Sequence, residues 1–116
     1  AEFLAEKSSS ERRAADRSAR AALTQWHALA TAAQAEIASL DAGALPEAES
    51  AFALTQEGFR AGKFSYLEAL DAQRTLMDLR EHLLEARQAR IESGIELERL
   101  TGSLDIEPES APQTKE

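Results

Sequence analysis

The stretch Gly58-Phe59-Arg60-Ala61-Gly62-Lys63-Phe64-Ser65 divides two long apolar-periodic segments, and its reading decides the fold. Gly62 can take the left-handed conformation that closes a helix. Ser65 can cap the next helix, with Glu68 at the third helical position to complete a capping box. A tight helix-turn-helix reversal is therefore expected. The stretch and the residue after it hold Phe59, Phe64 and Tyr66, three of the six aromatic residues in the chain.

Upstream, apolar residues fall at Leu23, Trp26, Ala30, Ala33, Ile37, Leu40 and Ala44, in alternating steps of three and four. This is a heptad seam. It slips by one residue and resumes as Leu45, Ala48, Phe52, Thr55 and Phe59, with Pro46 at the slip and Gly43 beside it. A proline inside a helix removes a backbone donor, so a kink or a break is expected. A continuous, bent helix is the first reading; two helices joined by a loop at 42–46 is the second.

Downstream, one seam runs Ala69, Ala72, Leu76, Leu79, Leu83 and Ala86. A second, spaced by sevens, runs Leu70, Met77, Leu84 and Ile91 along an adjacent edge. A single antiparallel partner needs only one of them. Two neighbouring seams suggest partners on both sides, as in a bundle or a closed ring of helices; a compact three- or four-helix bundle also has a wide apolar face. The fold class is all-α: a long antiparallel helical hairpin of coiled-coil type. Its divisions are a descending helix over 1–61, kinked near Pro46, a turn at 62–65, a returning helix over 66–101, and a disordered tail over 102–116. At about 1.5 Å per residue the arms would be roughly 85–90 Å and ~55 Å long.

Composition excludes several classes. Alanine fills about a fifth of the 116 residues, favouring long helices over a thick core. A net charge of −8 argues against nucleic acid, and Arg12, Arg13, Arg17 and Arg20 alternate with Glu11 and Asp16 as on a solvated face. There is no cysteine, hence no disulfide or thiolate site. No apolar run approaches the roughly 18 residues of a membrane-spanning helix. The chain begins Ala-Glu-Phe-Leu, without an initiator methionine or signal peptide, and reads as an excised piece. His27 and His82 form no metal-binding pair, although Glu81, Glu85 and Glu92 lie near His82 in sequence. Gly58-Phe59-Arg60-Ala61-Gly62-Lys63-Phe64 departs from a phosphate loop in spacing, and Phe64 stands where Ser or Thr is needed. No catalytic constellation appears, and neither cofactor nor metal is expected.

The run GFRAGKFSYLEALDAQRTL (58–76), followed by ELERLTG (96–102), resembles the C-terminal helical hairpin of TolC-like outer-membrane factors. The match includes Phe59, Gly62 and Leu70-Asp71-Ala72-Gln73-Arg74. The upstream ALPEAESAFALTQEGFRAGK is similar to the branch that serves metal-cation efflux. The resemblance covers about residues 1–102. It implies a segment of a periplasmic α-barrel in a homotrimer, the membrane β-barrel lying outside this sequence. It also implies a periplasmic adaptor and an inner-membrane pump of the resistance-nodulation-division class as partners. The place would be the periplasmic portion of an outer-membrane protein of a Gram-negative bacterium, and the cargo heavy-metal cations.

Residue by residue, the resemblance implies that Phe59, Glu68 and Asp71 lie at the channel aperture. Gly62, Lys63, Phe64, Ser65 and Tyr66 correspond to the tip that an adaptor touches. Where some relatives have a basic latch residue this sequence has Phe64. Physically, exposed aromatics at a turn commonly mark a contact surface, and packing within the turn is the equal alternative. Glu68 and Asp71, three apart on one face, could form carboxylate rings in a trimer. Equally, Glu68 caps its helix and Asp71 complements the helix dipole. The competing class is a binding module, either an adaptor's helical hairpin or a generic coiled-coil scaffold.

Overall fold

A computed structural model describes the backbone of residues 2–105 and the side chains of residues 2–102. Helix α1 spans Glu2–Ser39 and passes through a π-helical turn, Leu40–Ala44, into α2, Leu45–Arg60. After the reversal, α3 runs Tyr66–Asp105. No strand occurs among the described residues. α3 packs along α1, the π turn and α2 in succession, so the two arms form an antiparallel hairpin. Its radius of gyration is 25.8 Å and its longest dimension 86 Å. A compact domain of this length would have a radius of gyration of about 13 Å.

The heptad seams are what the arms bury. Leu23, Trp26, Ala30 and Ile37 are half-buried, and Ala33 and Leu40 are buried. Below the slip, Ala48 is buried and Leu45, Phe52 and Thr55 half-buried. On α3 the inner seam supplies Leu76, Leu83 and Ala86. It continues to Ser93, the most buried side chain at 2% exposure, whose hydroxyl donates to the Ala89 carbonyl at 2.7 Å. Thr55 settles its own hydroxyl on the Ala51 carbonyl in the same way. Both polar groups can therefore sit on the seam without an orphaned hydrogen bond. Alanine and serine leave room for the backbones to approach, which gives a thin seam in place of a thick core.

At the slip the residues form a π turn and not a loop at 42–46. A π turn holds one more residue than an α turn, which absorbs the one-residue offset between the two seams. Pro46 then falls in the first turn of α2, directly after the π turn. At the far end α3 continues through Asp105, past the end expected at Thr101-Gly102. Gly102 lacks the positive φ that would close a helix, and a helical glycine costs only about 1 kcal/mol. The rest of the expected tail, 106–116, lies outside the described residues.

Two ion pairs join the arms, Arg80 to Glu49 and Arg87 to Asp41, each at 3.8 Å and about half exposed. Pairs of this kind contribute at most about 1 kcal/mol. On the overhanging start of α1, where residues 2–18 are all exposed, Arg20 pairs with Asp16 at 3.3 Å on the solvated face.

Candidate interaction site at the hairpin tip

The tip is built from backbone chemistry first. Gly62 has φ +76°, the only positive φ among the described residues. Its N–H donates to the Phe59 carbonyl at 3.0 Å, and the Lys63 N–H donates to the Gly58 carbonyl at 2.7 Å. That pair of bonds is a Schellman closure of α2. Phe64 N–H also donates to the Gly58 carbonyl, at 3.2 Å. The next residue opens α3: the Ser65 N–H donates to Glu68 Oε2 at 2.7 Å, and the Glu68 N–H donates to Ser65 Oγ at 3.2 Å. This reciprocal capping box leaves no free residue between the end of one motif and the start of the other.

The aromatics pack on this frame while staying half open. Phe64 lies on Gly58, where an added Cβ would collide with ring atoms Cδ2 and Cε2. The rings of Phe59 and Tyr66 face one another across the reversal with centroids 5.8 Å apart and planes tilted by 53°. Phe59 and Phe64 nevertheless keep 41% and 45% of their surface exposed, and Tyr66 keeps 62%. Leu54 and Leu67 are more exposed still. On one side of the tip a shallow groove of about 480 Å³ is lined by Leu54, Glu57, Gly58, Ala61, Lys63 and Phe64.

The structure thus brings Gly62, Lys63, Phe64, Ser65 and Tyr66 together as the reversal itself, with Phe59 against Tyr66. Glu68 is turned back onto the Ser65 amide. Asp71 stands one turn further along α3, exposed, with its carbonyl accepting from the Thr75 hydroxyl. Gly58 is the residue that the sequence reading left without a role. Its carbonyl takes two amides and its bare Cα seats the Phe64 ring. The available signal was a second glycine four residues before the closing one, with an aromatic six residues after it.

The outer seam of α3 is solvent-facing: Leu70, Met77, Leu84 and Ile91 are between 40% and 65% exposed. His27 and His82 are both exposed. Among the described residues no group of three or more His, Asp or Glu side chains is placed to hold a metal ion. Nor is any helix among them long and apolar enough to cross a membrane.

Comparison with known proteins agrees with this geometry. Residues 1–103 match the family model described as outer membrane efflux protein. The chain is also 43% identical over 58 residues to the cobalt-zinc-cadmium resistance protein CzcC of Cupriavidus metallidurans. That alignment covers 50% of this chain and 14% of the relative, so the chain matches only a small part of that protein's length. No solved structure matches the chain. A match that runs nearly the length of the sequence, on a strand-free hairpin, shows that the chain belongs to the outer membrane efflux protein family.

Proposed function

We propose that this hairpin is one wall element of the periplasmic tunnel of a trimeric outer-membrane efflux channel, with its tip at the tunnel entrance. The observation that carries the reading is the exposed outer seam. Leu70, Met77, Leu84 and Ile91 repeat every seven residues on a helix whose inner seam is already filled. A row of large apolar side chains with that repeat calls for a neighbouring helix. A ring of helices supplies one to every member.

The channel works as a passive conduit within a tripartite export system of a Gram-negative bacterium. A periplasmic adaptor meets the tip at Gly62, Lys63, Phe64, Ser65 and Tyr66, and an inner-membrane pump of the resistance-nodulation-division class supplies the energy. Opening is a shift in population between closed and splayed tips, biased by adaptor contact. Phe59, Glu68 and Asp71 line the aperture. Heavy-metal cations are the cargo, a reading supported by the similarity to a cobalt-zinc-cadmium resistance protein and by the resemblance of ALPEAESAFALTQEGFRAGK to the metal-cation efflux branch. The family match favours this reading over an adaptor's own hairpin.

Asp71 gives the cleaner test of the aperture, because Glu68 also holds the turn together. Asp71→Lys in the complete protein, reconstituted in a planar bilayer, is expected to lower cation conductance and selectivity. Unchanged conductance removes Asp71 from the aperture.

A further inference from the structure

The descending arm contains an irregularity that the conduit reading leaves unused. In the π turn, Leu45 N–H donates to the Leu40 carbonyl, five residues back. In an α-helix that amide would serve the Asp41 carbonyl. The next amide in line belongs to Pro46, which has no N–H. The Asp41 carbonyl therefore has neither its α-helical donor nor its π-helical one. The hydrogen-bond ladder of this arm is thinned at one level, while α3 opposite runs unbroken.

The arm cannot heal this level by reverting to α-helix. The inner seam of α3 keeps its three-four step through Leu76, Leu79, Leu83 and Ala86, so the offset lies wholly in the descending arm. Each residue of an α-helix turns the face by about 100°. Without the π turn, either Ala33 and Leu40 or Ala48 and Phe52 would rotate off α3. The weak level is thus built in by the seams on either side of it. At this level the arms are held by buried Leu40 at the start of the π turn and by the half-exposed Arg87–Asp41 pair at 3.8 Å, with Gly43 adding no side chain.

We propose that the π turn is the hinge of the hairpin. The segment from Leu45 to the tip swings about residues 40–44, α3 bends smoothly alongside it, and the Asp41–Arg87 pair opens and closes with the motion. π turns and prolines are the usual sites at which long helices yield. The use of the hinge, moving the tip while the upper wall stays packed, rests on the conduit reading; its existence does not.

Hydrogen–deuterium exchange on the complete protein tests it. Amides of residues 42–47 are expected to exchange at least about ten-fold faster than those of 35–39 and 50–54, a difference set by local opening. Asp41→Asn should raise the rate there a further few-fold and leave the flanks unchanged. Pro46→Ala restores an N–H without altering the register, and should bring the fast patch close to its flanks. Uniform exchange across 35–54, or a patch that stays fast in Pro46→Ala, overturns the hinge. Single-channel recording of Pro46→Ala separates the two readings. A several-fold lower open probability ties the hinge to gating. Altered exchange with unaltered opening leaves the hinge standing and removes its role in gating. A wild-type protein that forms no channel removes the conduit reading alone.

Discussion

The Phe64 ring rests on the bare Cα of Gly58, six residues before it in the chain, and the same glycine accepts the Phe64 amide at 3.2 Å. Backbone and side chain thus fold over one residue that has room for neither more nor less. Gly58→Ala should expel the ring or shift the helix end, at a cost of about 1–3 kcal/mol as for other overpacked sites. Urea unfolding of the chain, followed by circular dichroism, measures this. Combined with Phe64→Ala the loss should be clearly less than the sum of the two, since both changes break one contact. Simple additivity would show that ring and glycine are energetically independent.

Gly62 makes a separate demand. At φ +76° a Cβ is strained even though open space surrounds the position. Gly62→Ala should cost about 1–2 kcal/mol, and Gly62→Asn less, because asparagine tolerates this region better. Equal losses for the two would point to a contact in place of a conformational cause.

For the start of α3, removing the Ser65 hydroxyl strips the Glu68 amide of its acceptor. Ser65→Ala is expected to lower stability by about 1 kcal/mol. Glu68→Gln retains a carbonyl that can reach the Ser65 amide, so it should lose less than Glu68→Ala. A channel recording on Glu68→Gln in the complete protein then tests the proposed aperture charge with the cap largely kept.

Inner and outer seams should respond in opposite ways. Ser93→Leu forces bulk into the tightest point of the hairpin and should cost about 1–3 kcal/mol in the isolated chain. Leu84→Glu lies 65% exposed and should change the stability of the isolated chain by less than about 0.5 kcal/mol. In the complete protein Leu84→Glu should instead weaken assembly, read by crosslinking or size-exclusion chromatography. Normal assembly would mean that the outer seam faces no neighbour.

The arms and the turn were legible because their causes are local or periodic. Leu23 to Ala44 and Ala69 to Ala86 show the heptad step directly, and Gly62, Ser65 and Glu68 act within a few residues of one another. At Pro46 the helix is continuous, as in the first of the two readings, but the slip is taken up by a π turn that neither reading names. The missing cue was that a one-residue slip in a seam is itself the mark of one extra residue per turn. Ser93 escaped notice because a serine does not announce burial; only its place seven residues after Ala86 does. Gly58 escaped because the direction of the Phe64 ring depends on the left-handed residue between them. A glycine such as Gly102 closes a helix by the Schellman route only where its backbone turns to positive φ, which it does not do there. The aperture and adaptor roles proposed for Phe59, Glu68, Asp71 and Lys63 concern other chains, so they are legible only through resemblance.

The capped turn also orders events in time. Closing it joins residues a few positions apart, whereas each rung further from the tip brings together segments separated by ever longer stretches of chain. The entropic cost of closing a loop grows with its length, so the first rungs to form are those next to Gly58 and Phe64. The hairpin should therefore zip from the tip outward and fray from the open end inward. A protease added under mildly destabilising conditions would nibble first at α1 near its overhang and at the far end of α3. The Schellman closure and capping box would be the last parts of the molecule to let go.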